Sequence, residues 1–182
     1  MPALPASRLR TLLTVPLLAI ALLAAVSAFA PATDASAATQ QSATQQSASR
    51  QPAARGSAAR QQKVLRAASV VLHQIGDPYR YGAAGPGSFD CSGLMKYSYA
   101  KAGIKLPRTA SAQSKRAHRI AKKNLRRGDL MFFTDGGGVY HAAMFLKWTH
   151  GRAVMVHSPG SGQHVRRDHP WTKRWFAGTM RG

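Results

Sequence analysis

The chain has 182 residues, with 26 lysines and arginines against six acidic residues, none of them glutamate, for a formal charge of +20. Such a charge disfavours cationic partners and attracts polyanions. One cysteine excludes an intrachain disulfide framework, and so few carboxylates leave little material for a pair of catalytic acids.

The N-terminus reads as an export signal. Arg8 and Arg10 give a positive start, Leu12 to Val26 is apolar, and small residues follow. Residues 1–37 are therefore expected to be a signal peptide, with cleavage near Ala28 or Ala37. A retained anchor is disfavoured because the apolar run is shorter than the roughly 20 residues of a spanning helix. No stable membrane span is expected after processing. Residues 38–61 are Ala, Gln, Ser and Thr with a few arginines, and such a stretch buries no core. This segment is expected to be a disordered linker. Residues 62–182 then suit one compact domain. From Lys63 onward it carries 21 basic residues against five aspartates, near +16.

Within the domain, Val64, Ala68, Val71, Leu72 and Ile75 recur at helical spacing before Gly76 and Pro78. Tyr79 to Ser88 is rich in glycine and reads as a loop. A second helix is expected over Cys91 to Ala102, with Cys91, Leu94, Met95, Ser98, Tyr99 and Ala102 on one mostly apolar face packed into the core and Gly103 as its stop. Thr109 caps a short helix through Arg116. Arg127-Gly128-Asp129 is a turn before the apolar run Leu130 to Phe133. Strands are expected at Val139 to Leu146 and Ala153 to His157, joined by a hairpin, with weaker candidates at Gln163 to Arg166 and Trp175 to Met180. Helices first and strands later predict an α+β domain with an antiparallel sheet.

Cys91 is the residue that points to chemistry. A lone thiol in an exported chain is a reactive group, an intermolecular link or a buried apolar side chain. Asp90 and Ser92 flank it at a helix start, where unsatisfied N–H groups and the helix dipole favour a thiolate. A depressed pKa is therefore expected, supported by an ion pair with His141. Seven histidines are available. His141 lies within one expected strand and His157 ends the next, so both imidazoles reach one sheet face if those strands pair. A helix packed on that face would present Cys91 to them, giving nucleophile, base and orienting group. His73, His118, His150, His164 and His169 fall in polar or loop contexts and read as surface residues. No Cys-x-x-Cys or His-Glu-x-x-His pair suggests zinc, and no phosphate-binding glycine loop is present. No metal or organic cofactor is expected. Nothing matches a helix-turn-helix or an aromatic RNA-binding run, so nucleic acid is not an expected partner.

Four segments in order, Asp77-Pro78-Tyr79-Arg80-Tyr81-Gly82, Phe89-Asp90-Cys91-Ser92-Gly93-Leu94, Leu106-Pro107-Arg108-Thr109-Ala110 and Arg127-Gly128-Asp129-Leu130-Met131-Phe132-Phe133, resemble the NlpC/P60 family of cell-wall cysteine peptidases. The resemblance runs from about residue 62 to 180. It implies a papain-like domain with helices packed on an antiparallel sheet. It also implies Cys91 as nucleophile, His141 as base and His157 as the orienting residue. Tyr79, Asp90 and Ser92 would then serve oxyanion or substrate binding. The implied reaction is hydrolysis of peptidoglycan stem peptides between D-γ-glutamyl and the diamino acid, by a secreted, wall-associated monomer. Peptidoglycan and anionic wall polymers are the expected partners. Two other readings stay open: a thiol amidase or acyl or amine transferase on the same fold, and a basic wall-binding protein without catalysis.

Overall fold

The computed structural model describes residues 55–181. The expected signal segment, and the expected linker as far as residue 54, lie outside the described residues. Residues 55–61 fall within the expected linker, whose alanines and glutamines tolerate helix. They are helical and belong to α1, described over residues 55–73. Alanine, arginine and glutamine all support helix, and Arg60 Nε donates to Met180 O at 2.5 Å, tying this turn to the end of the domain. Val64, Ala67, Ala68 and Val71 form the buried stripe of α1.

Two further helices follow. α2 is Cys91–Lys101, capped by Asp90, whose side chain accepts from Gly93 N. α3 is Ala110–Arg116, capped by Thr109 through the Ala112 N–H. Among the described residues six strands form one antiparallel sheet: β1 (His118–Ile120), β2 (Leu130–Asp135), β3 (Gly138–Thr149), β4 (Arg152–His157), β5 (Arg166–Asp168) and β6 (Trp175–Thr179). Their spatial order is β1-β6-β2-β3-β4-β5. β5 begins where the expected strand Gln163 to Arg166 ends, and β1 was not anticipated. β3 runs three residues beyond the expected Leu146, because a register shift between Phe145 and Lys147 lets pairing with β4 continue. His150 and Gly151, both at positive φ, make the two-residue hairpin turn.

The helices cover the sheet face that carries Phe132, Ala142, Met144 and Val156. The other face packs Met131, Phe133, Ala143, Phe145 and Met155 into a second, smaller core with Leu125. Strand alternation separates the two sets.

Asp129 is more than a turn residue. It is fully buried. It accepts from Thr179 Oγ1 at 2.7 Å and from Arg126 N at 2.8 Å, and it pairs with the Arg181 guanidinium. Burial pushes its carboxyl above the usual range in spite of these partners. Asp129→Ala leaves Arg181, itself mostly buried, without its carboxylate. Removing one member of such a pair costs about 3–5 kcal/mol, so a large drop in the urea midpoint is expected. An unchanged midpoint would mean the pair contributes nothing net.

Candidate active site

Cys91 opens α2 at the floor of a cleft of about 480 Å³, lined by Tyr79, Tyr81, Asp90, Ser92, Arg108 and Tyr140 among others. A larger depression of about 730 Å³, beside Lys123, Arg126 and Arg181, is lined by no cysteine or histidine. The start of α2 is held from several sides. Asp90 Oδ1 accepts from Gly93 N at 2.7 Å and from Ser92 Oγ at 3.2 Å, and its Oδ2 accepts from Gly82 N at 3.0 Å. Arg108 pairs with both Asp90 oxygens and donates to Ser92 Oγ at 3.0 Å. Burial alone would raise the Asp90 carboxyl, but Arg108 and the Gly93 N–H hold it below the usual carboxylate range. Gln113, wholly buried on α3, donates Nε2–H to Ser92 O at 2.8 Å and Pro107 O at 2.9 Å. Asp90 and Ser92 thus sit at the helix start as a cap and its bonded neighbour. Tyr79 shares the cleft with Cys91, and burial, followed by the neighbouring Cys91 and Asp90, raises its hydroxyl pKa.

The histidines meet where β3 and β4 part. The ladder between these strands reaches Met144 and Val156. His157 follows Val156 directly, and His141 lies three residues before Met144. Their rings touch through His141 Nε2 and His157 Nδ1 at 2.9 Å, and both residues are buried. His141 also packs edge-on against Phe133, on the face away from the helices. Here the expectation of a helix packed on the imidazole face is corrected. α2 packs on the opposite face, and Cys91 meets β3 at its backbone, where the Ala142 N–H points to the thiol. Trp171, half exposed, lies over the pair with ring centroids 5.2 Å from His141 and 5.5 Å from His157. Its Nε1–H donates to Tyr140 Oη at 3.3 Å.

Of the other histidines, His73, His118, His150 and His164 are exposed. His169 is half-buried, against the surface expectation, and its Nδ1 bonds Ala153 O at 2.7 Å. Among the described residues no group of three or more His, Cys, Asp or Glu is placed to hold a metal ion.

The ionisation of the site differs from the sequence expectation. Burial pushes the Cys91 thiol up and the Asp90 charge adds to this, while the N–H groups of Ala142 and of the helix start pull the other way without prevailing. Burial and the neighbouring His157 push His141 down to about 3. Burial likewise pushes His157 down to about 4, opposed by Asp168. Burial thus works against both the thiolate and the imidazolium forms, opposite to the expected ion pair. Protonation of the imidazoles sets the acid limb of any activity, and loss of the thiol proton sets the alkaline limb. The expected kcat/KM profile holds down to about pH 5 and falls as pH approaches 4. An acid limb centred near the ordinary histidine value of about 6.5 would contradict it. Stability follows the same groups. The unfolded imidazoles bind more protons below about pH 6.5, so their contribution to stability is complete above that pH and declines as pH falls toward 4.

Helices packed on an antiparallel sheet, with a thiol at a helix start and two imidazoles at a strand end, define an α+β fold of the papain-like class. A family model described as the NlpC/P60 family matches residues 76–181, and the chain belongs to that family. The chain is 41% identical over 88 residues to "Probable endopeptidase p60" of Listeria monocytogenes, a stretch that is 48% of this chain and 17% of that protein. It is 41% identical over 91 residues to the "Bifunctional muramidase/DL-endopeptidase CwlT" of Bacillus subtilis, covering 48% of this chain and 26% of that one. The chain therefore spans about a quarter or less of these two relatives. Among solved structures it resembles the peptidoglycan hydrolase RipB of Mycobacterium tuberculosis. There the TM-score is 0.57 at 26% identity, covering 68% of this chain and 67% of that one.

Proposed function

We propose that the protein is an exported cysteine endopeptidase that hydrolyses peptidoglycan stem peptides, at the bond between D-γ-glutamyl and the diamino acid. One observation carries the reading. The chain's single thiol sits at a capped helix start in an open cleft, against the strand that brings His141 to His157. A reactive role accounts for a thiol that lines the cleft there better than a packing role does.

In the proposed reaction His141 takes the thiol proton as Cys91 Sγ attacks the scissile carbonyl. His141 then gives that proton to the leaving amine, and water, deprotonated by the same ring, hydrolyses the thioester. His157 holds the His141 ring. Backbone N–H groups at the start of α2, with the Tyr79 hydroxyl, face the developing oxyanion. Raising the pKa of this phenol keeps it protonated and able to donate. Asp90 and Ser92 act through the helix start, which they and Arg108 hold in place.

Mass spectrometry of purified muropeptides after incubation with the mature protein tests the assignment. The expected products divide at the γ-glutamyl bond. Release of whole stems from the sugar would make it an amidase, joined peptides a transferase, and unchanged muropeptides a binding protein.

The anionic polymers of the wall suit a domain with 21 basic residues against five aspartates. Attraction between exposed charges is screened over about 10 Å at 0.1 M salt. Pelleting with sacculi should therefore weaken steeply with added salt, while cleavage of a short soluble stem peptide changes little. Pelleting that persists at high salt would contradict charge-driven association.

A further inference from the structure

Two imidazoles in a row leave the direction of their hydrogen bond open. The 2.9 Å contact between His141 Nε2 and His157 Nδ1 is satisfied by either of two proton arrangements. In the first, His141 Nε2–H donates, and the Nδ1 of His141 keeps its lone pair. In the second, His157 Nδ1–H donates. The proton of a neutral His141 then sits on Nδ1, and that ring has no nitrogen left to accept a proton from a thiol. Nothing within the pair chooses between the two.

The choice falls to whatever faces the far nitrogen. His157 Nε2 is buried and makes no hydrogen bond, and Asp168 Oδ2 stands 3.6 Å from it. The sheet makes this approach. β5 pairs Arg166 with His157, so Asp168, two residues on, is the diagonal neighbour on the same face. The carboxylate is itself fixed. Arg166 donates to Oδ2 from Nε and Nη2, each at 3.1 Å, and the His169 N–H donates to Oδ1 at 2.8 Å. Burial works against its ionisation, but these donors hold its pKa below the usual range. An ionised carboxylate only accepts. An N–H directed at it is favoured, and a nitrogen lone pair is repelled.

We propose that Asp168 is a positioning residue that sets the direction of the His141–His157 hydrogen bond. It holds His157 with its proton on Nε2. His157 Nδ1 must then accept, His141 Nε2–H must donate, and His141 Nδ1 is left as the basic nitrogen. The row runs Asp168, His157 and His141 across β5, β4 and β3. The inference rests on the thiol-peptidase reading of the Cys91 site, but its main test does not.

That test is NMR of the mature protein labelled with 15N histidine, in which the ring nitrogen shifts report which nitrogen carries the proton. The wild type should show His141 and His157 both protonated at Nε2. Asp168→Asn offers an amide that donates as well as accepts, so both rings should shift toward the Nδ1–H form. Asp168→Glu should restore the wild-type pattern. Outright loss of tautomer control at a catalytic imidazole lowers turnover by about 10⁴-fold, so one ring further out and partly exposed the expected loss is roughly 10- to 100-fold. It should fall on kcat, with KM unchanged. Wild-type rings protonated at Nδ1, or an Asp168→Asn protein with unaltered ring shifts, would overturn the proposal. Correct tautomers in a protein that cleaves no stem peptide would uphold the positioning role and overturn only the peptidase reading. A thermal melt of each variant shows whether it is folded. If Asp168→Asn does not fold, Asp168→Ala takes its place, with the same ring shifts deciding.

Discussion

Cys91→Ala is expected to lower kcat/KM on a stem peptide by about 10⁴- to 10⁶-fold, the cost of removing a nucleophile whose partners act only through it. The fold should persist. The thiol is partly buried at the first position of α2, and the cap that secures that turn comes from Asp90 and Gly93. Cys91→Ser should be nearly as inactive. A serine hydroxyl is far less acidic than the thiol, so an imidazole base deprotonates it much less readily. The measurement is steady-state hydrolysis beside a thermal melt. A folded Cys91→Ala protein that keeps most of its activity would end the thiol mechanism and return the wall-binding reading.

Gly93→Ala is expected to damage both fold and activity, though the position lies two residues past the nucleophile. A Cβ there would stand 2.0 Å from Ala83 O and 3.0 Å from Ala84 Cα. Neither is a flexible side-chain end. The backbone of 83–84 cannot retreat freely, because Ala83 O also accepts from Asp90 N at 2.9 Å. The helix start and the loop that carries Tyr79 must therefore separate. Overpacking of this kind costs about 1–3 kcal/mol. A shift of about 1 Å in a reacting group costs about 10²-fold in rate. Gly136→Ala is the matched control, since a Cβ there meets nothing within 4 Å. Equal melts and rates for the two variants would show that the helix–loop contact has no part in placing Cys91.

Much of this site was legible because its signals are local. Asp90 before an apolar-periodic run marks a helix start, and Cys91 follows it directly. The apolar run Ala153 to Val156 after a turn marks β4 and places His157 at its end. Arg108 was within view, in the quoted Leu-Pro-Arg-Thr segment. Its ion pair with Asp90 spans 18 residues of chain, though, and one arginine among 21 basic residues carries no mark of its partner. Nothing in the sequence singles out Gln113 within its short helix, and the structure buries it completely against Ser92 and Pro107. β5 was misplaced because Arg166-Arg167-Asp168 is an edge strand with no apolar alternation, and Asp168 was missed with it. The ionisation of Cys91 failed for a related reason. A helix dipole is visible in sequence, whereas the burial that outweighs it is a property of the packed domain.

The central claim is that Cys91 forms a covalent acyl intermediate, and rapid-quench mass spectrometry tests it most directly. The mature protein is mixed with an activated ester of a stem-peptide fragment, whose fast acylation lets the intermediate accumulate. It is then quenched in acid within milliseconds and digested. The account predicts a mass increase equal to the acyl fragment on the peptide that contains Cys91. That increase should decay at the rate of turnover and be absent in Cys91→Ala. Turnover with no adduct, or with the adduct on another residue, would contradict it.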